Sequence, residues 1–111
     1  MQLLVIILKK SEVVDTLMRE LARAGVHGGT VLESAGMAKS LSGARDMPIM
    51  LAIGEILEGK PIKNSKTIMI ALPDERLEIA KNVVHEVCGD LSKPNAGVMF
   101  ALPISFSEGI S

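Results

Sequence analysis

Few residues of this 111-residue sequence have both the type and the spacing that catalysis or phosphate binding requires. The stretch GMAKS, residues 36–40, has the lysine and serine that end a phosphate-binding P-loop. However, Ala38 occupies the position where a glycine must precede Lys39, and Glu33 occupies the position of the first glycine. We therefore reject a P-loop.

The remaining titratable residues predict neither a metal site nor an enzyme. His27 and His85 lie far apart, and the sequence has no His-x-x-x-His or Cys-x-x-Cys spacing. No nucleophile or second titratable group is paired with Glu33 in the sequence. We therefore expect its carboxylate to form an ion pair and not to act as a general base. The lone Cys88 is expected to be a small core residue in a reducing compartment. A ligand contact for His27, at a predicted turn, stays open as an alternative.

Composition and charge argue against several classes of partner. The two phenylalanines, Phe100 and Phe106, are the only aromatic residues, so the core must be aliphatic, and base stacking on aromatic platforms is disfavoured. The formal charge of 12 − 13 = −1 argues against nucleic acid as a partner. No apolar run approaches the roughly 18 residues of a membrane span, so we expect a cytoplasmic protein.

The elements that must position any site follow a pattern that occurs twice. The apolar run LLVIIL at 3–8 predicts a strand, and apolar residues at helical spacing follow it up to Gly25, which suits a left-handed helix end. GTVLES then predicts a second strand. The same order is repeated downstream. TIMIAL at 67–72 predicts a strand, an apolar helical stripe runs from Leu77 to Val87 and is followed by Gly89, and GVMFALP at 97–103 predicts the last strand. The chain therefore has two strand-helix-strand halves.

Two such halves in one domain of residues 1–111 predict an α+β fold, a ferredoxin-like βαββαβ sandwich. Its four-stranded antiparallel sheet has two helices on one face. Yet the strands at 3–8 and 98–102 are apolar at every position, so the opposite face also needs cover. Either residues of the 37–65 segment fold beneath the sheet, or subunits form a closed ring with their sheets inward.

A long connection, residues 37–65, separates the halves, and this length predicts a functional or disordered segment. Pro48 can begin a helix, which we predict at 48–58. This short helix is amphipathic, and its apolar face could pack on the rim of a subunit or bind a partner protein. The residues predicted for that face are Ile49, Ile53, Ile56 and Leu57.

The residues at 25–39, GVHGGTVLESAGMAK, resemble the end of the second strand in the PII nitrogen-regulatory signal-transduction proteins. The corresponding motif of that family is Gly-Ile-x-Gly-x-Thr-Val-x-Glu-Val-x-Gly-x-Gly-Arg. The stretch ALPDERLEIAKNVV is similar to the entry into the family's second helix. NAGVMFALPI is similar to its closing Gly-Asp-Gly-Lys-Ile-Phe-Val-Leu-Pro-Val. The likeness covers essentially the whole chain.

The resemblance implies a homotrimer with three clefts between subunits and a flexible arm, the T-loop, which regulates a partner such as a transporter or an enzyme. Residues 37–65 occupy the place of this arm. The clefts of the family bind ATP, ADP and 2-oxoglutarate, so a small metabolite, with ADP, AMP and ATP as candidates, is implied as the ligand. The candidate ligand-binding residues are Gly28, Thr30, Gly36, Met37, Ala38, Lys39, Lys93, Gly97 and Val98.

The phosphate-binding part of the family pattern differs in this chain. The family's lysine in Gly-Asp-Gly-Lys falls at Val98, and no arginine follows Pro103. Each lost charge-assisted contact removes about 1.5 to 3 kcal/mol of binding free energy. The alternative is therefore a trimeric structural or metal-tolerance protein that resembles the CutA type and binds no nucleotide. The chain has no tyrosine, which excludes uridylylation of a T-loop tyrosine.

Overall fold

The structure is a computed structural model, and it describes residues 1–35, 65–93 and 96–110. The elements of the first half are β1 (Gln2–Leu8), a 3-10 turn (Ser11–Val13), α1 (Val14–Arg23) and β2 (Thr30–Ser34). Those of the second half are β3 (Ser65–Leu72), a 3-10 turn (Asp74–Arg76), α2 (Leu77–Cys88) and β4 (Gly97–Pro103). Both halves therefore have the repeated order that the sequence predicts.

The four strands form one antiparallel sheet in the order β2-β3-β1-β4. The first two strands of the chain are not neighbours, because β3 lies between them. β1 and β3 are the central strands, while β2 and β4 form the two edges. Together with two helices on one face, this topology confirms the predicted ferredoxin-like α+β fold. The predicted arm helix at 48–58 lies outside the described residues.

The core lies between the sheet and the helices, and its buried residues are aliphatic. Alternate residues of the central strands point into it, because side chains along a strand alternate between the two faces. Both helices contribute to the same cluster, which places them on one face of the sheet. Its members include Leu4, Ile6 and Leu8 of β1, Ile68, Ile70 and Leu72 of β3, Val14, Leu17 and Leu21 of α1, and Ala80 and Val84 of α2.

Helix α1 ends in a Schellman motif, which Gly25 makes possible. Gly25 has a φ of 87°, and its N–H donates to the carbonyl oxygen of Ala22 at 3.1 Å. The Val26 N–H donates to the Leu21 carbonyl oxygen at 2.9 Å, and both of these side chains are buried. The motif satisfies carbonyl groups at the helix end and directs the chain toward β2.

The sheet face opposite the helices, called the open face below, is also apolar. The register sets Leu3, Val5 and Ile7 of β1 opposite Leu102, Phe100 and Val98 of β4. On the other side of β1, Met69 and Ala71 of β3 are opposite Val5 and Leu3. Val5 is buried by these neighbours, whereas all three β4 residues are exposed. The expectation that both faces of the sheet are apolar is therefore confirmed.

Candidate functional site

The connection between β2 and β3, residues 35–64, leaves and rejoins the sheet at one end, called here the loop end. β1 and β2 finish there, and β3 and β4 begin there. Lys66 is opposite both Leu8 and Glu33, and Gly97 is opposite Leu8 on the other side. The order across the sheet is therefore Glu33, Lys66, Leu8 and Gly97. Any site at the base of the connection must be built around these positions.

A cluster of three hydroxyl groups joins β2 to β3 at the loop end. The Ser34 and Ser65 hydroxyl oxygens are 2.8 Å apart, and the Thr67 hydroxyl donates to the Ser34 oxygen at 2.8 Å. Ser65 is buried, and its hydroxyl also lies 3.4 Å from the Ser34 carbonyl oxygen. Because a buried hydroxyl needs a hydrogen-bonding partner, the cluster fixes how the ends of these strands pair.

Two charged groups at the loop end compensate each other. The Lys66 ammonium group forms an ion pair with the Glu33 carboxylate, and the Glu33 side chain is largely exposed. This contact agrees with the expectation that Glu33 forms an ion pair. Its contribution to stability is small because water screens an exposed pair. Lys66 therefore contributes little net positive charge to this end of the sheet.

Gly97 is required by its neighbour in the sheet. Its φ is 147°, and a Cβ atom added there would lie 2.5 Å from the Ile7 carbonyl oxygen. A side chain at this position would therefore displace β1 or β4. The requirement comes from packing within the chain, whether or not a ligand also approaches Gly97.

The described candidate ligand residues are divided between the two edges of the sheet. Gly28 precedes β2 and Thr30 begins it, while Gly97 and Val98 begin β4, and exposed Lys93 lies in the connection before it. Three strand spacings of about 4.8 Å separate the edges, roughly 14 Å in all. Thr30 also lies four residues along β2 from the loop end. One chain therefore does not bring these residues together.

The other candidate residues cannot be placed. Gly36, Met37, Ala38 and Lys39 lie outside the described residues, as do the arm residues Ile49, Ile53, Ile56 and Leu57. Two exposed cations that belong to none of the sequence motifs, Lys9 and Lys10, directly follow β1 at the loop end. Their position beyond an apolar strand could have indicated that they belong to this end.

His27 lies at the opposite end of the sheet. A cleft of about 290 Å³ is lined there by His27, Arg76, Pro73 and Ile110, among others. The Arg76 guanidinium lies 3.4 Å from the Ala24 carbonyl oxygen at the end of α1, where a cation complements the helix dipole. The structure therefore separates His27 from the loop end.

The turn before Lys93 is shaped by Asp90. The Asp90 carboxylate accepts hydrogen bonds from the Ser92 hydroxyl at 2.7 Å and the Ser92 N–H at 2.9 Å. These two bonds, the hydroxyl first, lower the pKa of the Asp90 carboxyl group, because they stabilise its charged form. The Lys93 N–H donates to the Asp90 carbonyl oxygen at 3.3 Å. The backbone leading to β4 therefore has a defined turn.

Cys88 does not have the properties of a reactive thiol. It is the last residue of α2 and is half-buried. Partial burial raises the pKa of the Cys88 thiol, since the thiolate loses hydration. Residues 1–35, 65–93 and 96–110 contain no group of three or more His, Cys, Asp or Glu that could hold a metal ion.

The described helices are also too short or too polar to cross a membrane. Sequence comparison adds no assignment: the chain matches no protein-family model, and no curated protein matches it significantly.

Proposed function

We propose that the protein is a PII-like signalling protein of the cytoplasm. Three copies assemble with their sheets inward, a small metabolite binds in the clefts between them, and the 37–65 arm regulates a partner protein. Occupancy of a cleft would shift the population of arm conformations. The chain would not act as an enzyme. ATP, ADP and AMP are the first ligands to test.

The observation that supports this proposal most directly is the apolar open face. It carries Val98, Phe100 and Leu102 as exposed residues of one edge strand and Leu32 as an exposed residue of the other. If each copy covers about 500 Å² of this surface, burial contributes at most about 12 kcal/mol at about 25 cal/mol per Å². Assembly is a simple way to remove this surface from water.

The division of the candidate ligand residues supports the same proposal. In a ring, the β2 edge of one copy faces the β4 edge of the next. Thr30 of one subunit and Val98 of its neighbour then approach a shared cleft, although they lie on opposite edges of each chain. A ligand site would therefore exist only in the assembled protein.

The ligand is tested by calorimetric titration of ATP, ADP and AMP, each with and without 2-oxoglutarate or bicarbonate. We expect binding of at least one combination below millimolar concentration. Sedimentation at micromolar concentration tests the assembly independently, and we expect the mass of a trimer. Absence of binding to a trimer would contradict the sensing function alone.

Val98 favours a second candidate, a structural or metal-tolerance trimer of the CutA type. This exposed apolar residue stands where the PII pattern has its phosphate-binding lysine. Limited trypsin digestion separates the candidates through cleavage after Arg45 or Lys60. Protection by a nucleotide would support signalling. Cleavage that no tested metabolite alters would favour the structural trimer.

A further inference from the structure

Both aromatic residues of this chain lie at its surface. Phe100 is 46% exposed and Phe106 is 78% exposed, whereas the described core is wholly aliphatic. A phenylalanine gains more from burial than most of the residues that fill this core. Aromatic residues are also enriched at the centres of protein interfaces. The location of both phenylalanines outside the core therefore indicates an interaction surface.

The two phenylalanines lie on one continuous stretch of chain. Phe100 is opposite Val5 on the open face, between the exposed residues Val98 and Leu102. Beyond β4, the Ile104 N–H donates to the Met1 carbonyl oxygen at 3.1 Å, which extends the pairing with the first strand. Phe106 follows two residues later. We call the three exposed β4 residues Val98, Phe100 and Leu102, together with Phe106 beyond the end of the strand, the β4 row.

The chemistry of the β4 row favours a second copy of this chain as its partner. The row has no charged or hydrogen-bonding side chain, so a partner must present an equally apolar surface. The open face of the same chain does so on its other side, where Leu32 is exposed on β2 and Met69 lies next to that strand. Self-association therefore satisfies both surfaces at once.

The directions of the edge strands are compatible with this contact. β2 and β4 are the edge strands, and they run in opposite directions in the sheet. Rotation about an axis parallel to the strands preserves these directions. It therefore sets β4 of one copy antiparallel to β2 of the next, the arrangement in which neighbouring strands can pair. Repetition of the same contact closes a ring.

We propose that Phe100 and Phe106 anchor the β4 row of one copy on the β2 side of the open face of the next copy, around Leu32 and Met69. The inference rests on the assembly part of the proposed function and is independent of the ligand. Phe106 is the better residue to test, because its side chain is the more exposed and contributes little to the core of its own chain.

The test compares Phe106→Ser with Phe106→Leu, which keeps an apolar side chain. Ile79→Ser is the matched control, because Ile79 is 40% exposed on α2, a helix on the opposite face of the sheet. Sedimentation equilibrium should show that Phe106→Ser raises the dissociation constant at least tenfold. Phe106→Leu and Ile79→Ser should assemble as the wild type does. Thermal unfolding checks that each variant is folded.

The outcomes separate this inference from the assembly on which it rests. A monomeric wild type would overturn the assembly and the anchoring role together. A trimeric wild type whose affinity is unchanged in folded Phe106→Ser would overturn only the anchoring role. Weakening of equal size in Ile79→Ser would also contradict it, because the effect would then not be specific to the β4 row.

Photo-crosslinking identifies the contacted surface. A benzophenone amino acid replaces Phe106, and isotopically light and heavy chains are mixed before irradiation. We expect crosslinked peptides that join light to heavy chains and map to residues 30–34 or 65–72. Crosslinks confined to one chain, or between chains but only to the helices, would overturn the proposed contact.

Discussion

Gly97 and the Ile7 carbonyl oxygen are so close that no side chain fits between them. A Cβ atom at Gly97 would lie 2.5 Å from that oxygen, and the φ of 147° is itself unfavourable for any other residue. The first residue of β4 is therefore fixed by the adjacent central strand. The same residue begins the edge that carries Val98 and Phe100.

Gly97→Ala is expected to lower the free energy of unfolding by about 2 kcal/mol or more, because backbone strain and a clash with β1 act together. Urea denaturation followed by circular dichroism measures the change. Gly28→Ala is the matched control: Gly28 has a φ of 83°, but a Cβ atom there meets nothing within 4 Å. Gly28→Ala should lower the free energy of unfolding by about 1 kcal/mol. Equal effects of the two substitutions would contradict a clash with Ile7.

The hydroxyl cluster at the loop end predicts coupling between Ser34 and Thr67. The Thr67 hydroxyl donates a hydrogen bond to the Ser34 hydroxyl oxygen at 2.8 Å, so each hydroxyl group provides the other with a hydrogen-bonding partner. Ser34→Ala and Thr67→Val should each lower the free energy of unfolding by about 0.5 to 1.5 kcal/mol. The double variant should lose less than the sum of the two single losses. Additive losses in the double-mutant cycle would contradict a shared network.

Hydrogen bonds from Ser92 predict a titration shift at Asp90. They lower the pKa of the Asp90 carboxyl group in the folded protein. The associated stabilisation is therefore fully present above about pH 4, the usual range for an unfolded Asp, and is lost as the pH falls through the lowered folded value. NMR titration of the carboxyl carbon should show this low midpoint.

Ser92→Ala removes the hydroxyl donor and keeps the backbone N–H donor. The pKa of the Asp90 carboxyl group should therefore rise partway toward its ordinary value. Ser105→Ala, an exposed serine beyond β4, is the control and should leave the Asp90 midpoint unchanged. An unchanged midpoint in Ser92→Ala would show that the hydroxyl bond does not control this titration.

The fold could be predicted because local patterns determine most of it. Each local pattern has a counterpart in the structure: the apolar run at 3–8 forms β1, the helical stripe forms α2, and Gly25 adopts a positive φ at the end of α1. The sequence also indicated that both sheet faces are apolar. Local patterns could not show which residues of distant strands lie opposite each other in the sheet. The approach of Gly97 to Ile7 and the cluster around Ser34 depend on pairing between distant segments.

The candidate site could be predicted less well for a physical reason. Gly28 and Gly97 are both candidate ligand residues of the sequence, but Gly28 precedes β2 and Gly97 begins β4, the two opposite edges of the sheet. Sequence spacing does not specify whether two edges meet within one chain or between copies. His27, at a predicted turn, was an open candidate for a ligand contact, and the structure places it in a cleft at the end of the sheet opposite the loop end.

Val98→Lys tests whether the proposed cleft is a weakened nucleotide site. Val98 is 53% exposed in the single chain and lies at the loop end of the β4 row, beside the proposed cleft, where the resemblance has a phosphate-binding lysine. A charge-assisted contact contributes about 1.5 to 3 kcal/mol, so calorimetry should show that Val98→Lys binds ATP at least tenfold more tightly than the wild type. Val98→Met, which is long but uncharged, should not differ from the wild type. If Val98→Lys remains a trimer but gains no ATP affinity, phosphate does not approach this edge, and the nucleotide interpretation of the cleft is wrong.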